Sequence, residues 1–134
     1  MPSNKKEMNP LSRGRTVRGM ARGIVTERPW GRFTTYVTNA TDVTVKVIAI
    51  DPGHRLSLQY HSKRSETWIC LQGEAVAEIG DERHTLRPGQ EVTVPVGARH
   101  RLGAGSLGAQ VLEIAHGDFN EDDIVRVADD YRRS

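Results

Sequence analysis

Cysteine, aromatic residues and long apolar runs are scarce in this chain of 134 residues. The one cysteine, Cys70, excludes an intramolecular disulfide and a cysteine-based zinc finger, and its apolar neighbours predict a small core residue. No apolar run reaches membrane-spanning length, and the N-terminus lacks the apolar core of a signal peptide. We therefore expect a soluble cytoplasmic protein with no membrane partner, and the length predicts one folded domain.

Positive charge is concentrated at the N-terminus. Residues 1–28 carry seven basic and two acidic residues, a net charge of +5, whereas the remainder has a net charge of −3. The basic segment is poor in apolar residues and cannot bury enough surface to fold alone. It has no aromatic platform on which nucleic-acid bases would stack, so we expect no nucleic-acid partner. We predict a flexible, disordered leader over residues 1–26 and a single domain over residues 27–134.

Short β-strand patterns fill most of the chain after the leader. The β-branched run Val43–Ile50 ends at the turn residues 51–53, and later apolar segments are separated by similar turn signals. This pattern indicates an all-β barrel or sandwich. Residues 103–108 are predicted to be a glycine-rich loop. The tail, residues 120–133, fits either a helix or a short strand followed by a turn.

Four side chains have the types and the spacing of a metal site. Gln59 and His61 are two residues apart, so on a strand they project from the same face, and Glu66 follows a polar turn. His100 supplies a second imidazole. Two imidazoles, one carboxylate and one amide oxygen suit a divalent transition metal. Either histidine alone is better explained as an ordinary polar residue, but the joint spacing favours a metal site.

Two spaced motifs resemble those of the cupin superfamily. The first cupin motif, G-x5-H-x-H-x4-E-x6-G, is matched from Gly53 to Gly73, except that Gln59 stands at the first histidine. The second, G-x5-P-x-G-x2-H, is matched from Gly89 to His100. The resemblance implies an all-β fold, the jelly-roll-like double-stranded β-barrel of cupins, with one metal ion at its mouth.

The match narrows to one group of cupins. Residues 56–68, LSLQYHSKRSETW, resemble the signature LSLQMHHHRAEHW of type II mannose-6-phosphate isomerases. Residues 97–102, GARHRL, resemble that group's GVKHRL, and residues 121–126, EDDIVR, resemble its tail. The resemblance spans about residues 27–133. It is specific, because glutamine in the first ligand position separates this group from most cupins. The module often forms the C-terminal part of mannose-1-phosphate guanylyltransferases.

The resemblance implies reversible conversion of mannose 6-phosphate to fructose 6-phosphate, in GDP-mannose and polysaccharide precursor metabolism. It implies one divalent metal, with zinc favoured over manganese, cobalt, nickel and iron. Such an isomerase needs a base that reaches a carbon-bound proton. Glu113 alternates with Leu112 and Ile114 and therefore points to the opposite face of their strand. It is the candidate base if that face is the barrel interior. A position on the solvated outer face fits a glutamate equally well.

A phosphosugar also needs cationic side chains that hold its phosphate. The resemblance assigns this role to four residues: Lys46, Arg64, Arg101 and Arg126. Of these, Arg64 is expected to be exposed on the surface. On a half-buried strand a lysine is usually solvated or at an edge, but one that faces a cavity could hold an anion.

Three histidines of this group's pattern are missing. Ser62, Lys63 and Thr67 stand where the group has histidines, and Ser62 and Thr67 are expected to line the barrel mouth. These departures leave open a non-catalytic sugar-binding cupin and, less favoured because of Gln59, a non-haem iron oxygenase. The chain has no room for a guanylyltransferase half, so we expect no GTP chemistry. A homodimer is left open by analogy with other cupins.

Overall fold

The computed structural model describes residues 23–132, and within them β-strands dominate. The strands are β1 (Ile24–Arg28), β2 (Gly31–Ala40), β3 (Val43–Ile50), β4 (Leu58–Tyr60), β5 (Arg64–Ile79), β6 (Glu82–Leu86), β7 (Glu91–Val94), β8 (His100–Gly117) and β9 (Val125–Ala128). One 3-10 helix, Glu121–Asp123, precedes the last strand. The all-β prediction is confirmed. Across the described range, no helix has the length and apolar character needed to cross a membrane.

All nine strands belong to one antiparallel sheet that curls around an interior. The strand order is β1-β2-β3-β8-β4-β9, and β5 pairs with β6, β7 and β8. The long strands β5 and β8 form two main ladders, residues 64–70 with 111–117 and residues 75–79 with 100–104, and a short pairing of residues 72–73 with 109–110 lies between them. The register shifts between these two ladders, so the same two strands pair in two parts of the sheet that have different registers.

Two glycines allow β5 and β8 to bend between their two ladders. Gly73 and Gly108 have φ angles of 75° and 72°, in the left-handed region that favours glycine. A Cβ atom on Gly73 would also collide with the carbonyl oxygen of Gly108, so the two backbones approach more closely than a side chain permits. The predicted loop at residues 103–108 is therefore wrong, because these residues lie inside β8 and their glycines bend a continuous strand.

Alternation along the strands separates the interior from the outer surface. On β3, Thr44, Lys46, Ile48 and Ile50 are buried, whereas the residues between them are half-exposed. Cys70 is fully buried, as predicted. The buried apolar core consists of Trp30, Ile48, Ile50, Trp68, Cys70, Ala75, Ala77, Leu86, Val94, Leu102, Ala109 and Val111. Because isolated buried charges are costly, the charged residues that share this interior require close partners.

The two ends of the domain differ from their predictions in detail. The tail contains both a short helix and a strand, the two alternatives left open by its sequence. The Asn120 side chain accepts a hydrogen bond from the Asp122 backbone N–H at the start of the 3-10 helix. Strand β9 follows and pairs with β4. Strand β1 begins inside the segment predicted as leader, so residues 24–26 belong to the sheet; all three are β-branched and suit a strand. Residues 1–22 of the predicted leader lie outside the described residues.

Candidate functional site

One cavity gathers most of the buried polar side chains. It is lined by Arg28, Trp30, Phe33, Lys46, Ile48, Leu56, Ser57, Gln59, His61, Arg64, Glu66, Trp68, His100, Leu102, Glu113, Phe119, Ile124 and Arg126. Strands β3, β4, β5, β8 and β9 all contribute to this lining, and residues between Gly117 and Val125 close one side. All four predicted metal ligands and the predicted base therefore face the same space.

His61, Glu66 and His100 converge inside this cavity. His61 follows β4, Glu66 lies on β5 and His100 begins β8. The two Nε2 atoms lie 3.2 Å apart, and His61 Nε2 lies 3.3 Å from Glu66 Oε2. His100 Nε2 lies 3.7 Å from the other carboxylate oxygen, Oε1. The side-chain atoms of all three are nearly inaccessible to solvent, at 4% exposure or less.

The hydrogen bonds of the two imidazoles select one tautomer. His61 Nδ1 lies 3.1 Å from the carbonyl oxygen of Asp123, and His100 Nδ1 lies 2.9 Å from that of Ala98. A carbonyl oxygen only accepts, so each Nδ1 carries a proton and donates. The lone pair of the neutral ring is then on Nε2, at the point where the two rings meet. Burial lowers the pKa of His100, which favours this neutral form.

This donor set fits a divalent transition metal. Two nitrogens bound at about 2.1 Å to one ion lie about 3.0 Å apart in octahedral and about 3.4 Å apart in tetrahedral geometry. The observed 3.2 Å between the Nε2 atoms falls between these values. The second ring nitrogens are already oriented by backbone carbonyls, as is usual for metal-binding histidines. One N–H of Arg64 donates to His61 Nε2 over 3.2 Å, and a bound metal would replace this hydrogen bond.

Gln59 adds an amide to the same cavity. Its backbone is the register partner of His100 across the β4–β8 pair. Its Nε2 donates to the buried hydroxyl of Ser57 over 2.9 Å. Among the described residues no partner is found for its amide oxygen, which is the atom that binds metals. The structure therefore brings all four predicted ligands to one place.

Arg64 is buried, contrary to the predicted surface exposure. Arg64, Glu66 and Trp68 alternate along β5, so all three face the interior. The Arg64 guanidinium donates from Nε to Glu66 Oε2 over 3.3 Å and from Nη1 to the carbonyl oxygen of Asn120 over 3.3 Å. Burial raises the pKa of Glu66, but contacts with His61, His100 and Arg64 outweigh burial and lower it to about 2. Glu66 therefore remains a carboxylate.

Glu113 points into the interior, as the isomerase hypothesis requires. It lies on β8, 7% exposed, opposite Lys46 on one side and Trp68 on the other. Its Oε1 accepts a hydrogen bond from Trp68 Nε1 over 3.1 Å. Burial, followed by repulsion from Glu66, raises the pKa of Glu113 to about 8, although the Lys46 ammonium opposes the shift. Two buried carboxylates thus have widely separated pKa values.

The Lys46 ammonium is held between two aromatic rings. Its Nζ lies 4.3 Å from the ring centre of Phe33 and 4.1 Å from that of Phe119. The Arg64 guanidinium lies 4.0 Å from the Phe119 ring and the Arg28 guanidinium 5.3 Å from the Phe33 ring. Such cation–π contacts position buried cations without neutralising their charge. Lys46 therefore faces the cavity rather than solvent.

The two remaining predicted phosphate ligands have different positions. Arg126 lines the cavity from β9, where it is the register partner of Gln59. Arg101 does not line the cavity. It follows His100 on β8 and therefore points to the opposite face. Its guanidinium donates to the carbonyl oxygens of Leu56 (3.0 Å) and Ala128 (3.2 Å). Arg101 thus fastens the tail to the barrel, and the phosphate-binding role predicted for it does not fit its position.

The departures from the group's pattern lie outside the cavity lining. The Ser62 hydroxyl donates to Asp123 Oδ1 over 2.6 Å, and the Ser62 and Lys63 backbone N–H groups donate to the same carboxylate. Thr67 alternates with Glu66 and Trp68, so it lies on the outer face of β5. The expectation that Ser62 and Thr67 line the mouth is therefore wrong. Instead, Ser62 helps to hold the 3-10 helix whose Asp123 carbonyl orients His61.

Sequence reasoning did not identify Arg28, Phe119 or Asp123 as parts of the site. Phe119 is anchored by Asn39, whose side-chain amide donates to the Phe119 carbonyl over 3.0 Å and accepts from its N–H over 2.9 Å. Asp123 belongs to the EDD segment of the tail, which was recognised only as a family feature. No local pattern indicates that these residues meet strands from the middle of the chain.

Comparison with known proteins agrees with this geometry. The family model described as mannose-6-phosphate isomerase C-terminal matches residues 18–129. The chain belongs to this family. It is 43% identical over 107 residues to a mannose-1-phosphate guanylyltransferase of Sinorhizobium fredii, covering 78% of this chain and 21% of that protein. It is 39% identical over 109 residues to the xanthan biosynthesis protein XanB of Xanthomonas campestris, covering 80% and 23%.

The family domain is thus a small part of its relatives, since the chain spans about a fifth of the length of the curated proteins that it matches. Among solved structures, the capsular polysaccharide assembling protein CapF of Staphylococcus aureus superposes with a TM-score of 0.72. That match has 17% identity and covers 82% of this chain and 33% of CapF, so it bears on the fold alone. The domain is a cupin β-barrel, as the two motifs imply.

Proposed function

We propose that this domain interconverts mannose 6-phosphate and fructose 6-phosphate with the help of one divalent metal ion. The observation that carries the proposal is the convergence of His61, Glu66 and His100 beside a second buried carboxylate, Glu113, in a cavity that also holds cations. Membership of the family supports the substrate class. The similarity to a mannose-1-phosphate guanylyltransferase and to a xanthan biosynthesis protein supports a place in GDP-mannose and polysaccharide precursor metabolism.

His61, Glu66, His100 and the amide oxygen of Gln59 would hold the metal. When bound, the ion supplies Lewis-acid stabilisation of negative charge that develops on a sugar oxygen. One carboxylate among neutral donors leaves a divalent ion with net positive charge, which favours this chemistry. We propose zinc, with manganese, cobalt, nickel and iron as alternatives.

Glu113 is the proposed base. It takes the proton from C2 of the aldose, so that the C–H electron pair forms a C1–C2 double bond and the C1–O1 π pair moves onto O1. The O2 hydroxyl proton then passes to O1, the C2–O2 double bond forms, and the C1–C2 π pair takes the proton back from Glu113 at C1. A base works best when its pKa lies near the working pH, and burial raises the pKa of Glu113 to about 8.

Lys46 and Arg126 are the proposed phosphate ligands. Both line the cavity, and charge-assisted hydrogen bonds from such groups are the strongest that a phosphate can accept. Arg64 donates to Glu66, so we propose that it orients this metal ligand rather than the phosphate. Arg28 also reaches the cavity and is a further candidate for the phosphate.

Two other functions remain as outcomes of the test. A non-catalytic sugar-binding domain was suggested by the changes at residues 62, 63 and 67, but none of these lines the cavity. A non-haem iron oxygenase was suggested by two histidines and one carboxylate, which also suit iron. Neither alternative explains why a buried carboxyl, Glu113, stands opposite the buried Lys46 across the β3–β8 pair.

The test begins with the metal content of the purified chain of 134 residues. A coupled assay of mannose 6-phosphate conversion follows, before and after removal of the metal by a chelator. We expect about one divalent ion per chain and activity that disappears with the metal and returns with it. A metal-loaded chain that binds mannose 6-phosphate without converting it would support the sugar-binding alternative. Iron content together with oxygen uptake would support the oxygenase.

A further inference from the structure

The indole N–H of Trp68 lies between two carboxylates of different proposed roles. Trp68 Nε1 lies 3.2 Å from Glu66 Oε1 and 3.1 Å from Glu113 Oε1. An indole has one N–H and accepts no hydrogen bond, so a single proton is shared in a three-centre bond. Both distances are longer than the usual value of about 2.9 Å, as sharing requires.

The strand geometry fixes this bridge. Trp68 is two residues beyond Glu66 on β5, so both side chains face the interior. Glu113 is the register partner of Trp68 across the β5–β8 pair. Trp68 is buried, with 2% of its surface exposed. Its ring also meets the His100 ring edge-on, with centroids 5.5 Å apart at 66°.

We propose that Trp68 is a positioning residue that joins a metal ligand to the base through one shared indole N–H. The assignment of Glu113 as the base rests on the proposed function, whereas the bridge itself does not. The shared proton sets the orientation of Glu66 toward the metal and of Glu113 toward the substrate at the same time. The packing of the indole against His100 adds a second contact with the metal ligands.

Removal of the N–H leaves two buried carboxylates without their common donor. Trp68→Phe keeps an aromatic ring and removes the donor. Residues that orient metal ligands typically change metal affinity by 10- to 100-fold. We expect Trp68→Phe to weaken Co²⁺ binding by about tenfold, measured by the visible spectrum of the bound ion. We also expect kcat of the isomerase reaction to fall by about tenfold or more with little change in KM, because the substrate-binding cations are untouched.

The wild-type chain allows a direct observation of the bridge. It contains two tryptophans, so its NMR spectrum has two indole N–H signals, which Trp30→Phe assigns. The Trp68 signal should exchange slowly with D₂O. Its chemical shift should change when Zn²⁺ binds and also in the Glu113→Gln variant. The chemical shift of the Trp30 signal should change much less in both cases.

The control for lost packing is Trp30→Phe, which removes a second buried indole from the same core without touching either carboxylate. The proposal is overturned if Glu113→Gln leaves the Trp68 signal in place, or if Trp68→Phe binds Co²⁺ as tightly as the Trp30→Phe control. If Trp68→Phe does not fold, the NMR comparison on folded protein still decides. If the Trp68 signal shifts as expected but the wild type converts no sugar, the proposed function is overturned and the proposed hydrogen-bond bridge is retained.

Discussion

The buried carboxyl of Glu113 should make the metal-free protein less stable as the pH rises. Its pKa is about 8 in the folded protein, against an ordinary value of 4.5. A carboxyl whose pKa is raised by folding contributes its full stability at pH values below its pKa in the unfolded chain. This contribution is lost as the pH rises from that value through the pKa of the same carboxyl in the folded protein. Between these limits the free energy of unfolding should fall by about 1.4 kcal/mol per pH unit, and by about 5 kcal/mol at most in total.

Glu113→Gln isolates this contribution, because the amide has nearly the same shape and does not titrate. Urea unfolding of wild type and variant in EDTA, from pH 5.5 to 7.5, should show the wild type losing about 2 to 3 kcal/mol relative to Glu113→Gln. Glu91→Gln, at an exposed position on β7, is the matched control and should track the wild type. Added Zn²⁺ should flatten the wild-type slope, since a nearby cation favours the carboxylate. A difference between wild type and Glu113→Gln that does not vary with pH would refute the account of this site.

Three further predictions concern single substitutions and the N-terminus. His100→Ala should abolish metal binding, measured by metal content after dialysis; full occupancy would remove the site from consideration. Arg126→Ala should raise KM, with a loss of a few kcal/mol at most in transition-state binding. Arg101→Ala should instead lower the free energy of unfolding in urea by about 1–3 kcal/mol. The reverse pattern would show that the two roles are exchanged. A chain that begins at Gly23 should melt at nearly the same temperature as the full chain, and a large loss would show that residues 1–22 pack on the barrel.

The convergence of the four candidate ligands was predictable, because each of them stands at a fixed position of a cupin motif. Gln59, His61, Glu66 and His100 each stand at a motif position, and the turns between them leave the strands little freedom of register. The inward direction of Glu113 was left open by residue type alone. The register with Lys46 and Trp68, which is a property of the whole sheet, determines it.

Some errors came from neglecting simple alternation. Arg64 is two residues before Glu66 and so shares its buried face, while Arg101 is next to His100 and so faces away. The assignment of phosphate ligands by family likeness overlooked both relations. Other features had no local signal. The 3-10 helix that orients His61 comes from the tail, and only the curled sheet as a whole brings it to the site.

The most direct test of the central claim is the fate of the C2 proton of mannose 6-phosphate in D₂O. Proton NMR of the sugar should show the C2 signal disappear when metal-loaded wild type is added, as an enediol forms and solvent deuterium replaces the proton. Chelator-treated protein should show no loss of the signal, and Glu113→Gln should slow it by about a hundredfold or more. A metal-loaded wild type that binds the sugar, leaves the C2 proton in place and forms no fructose 6-phosphate would contradict the isomerase function.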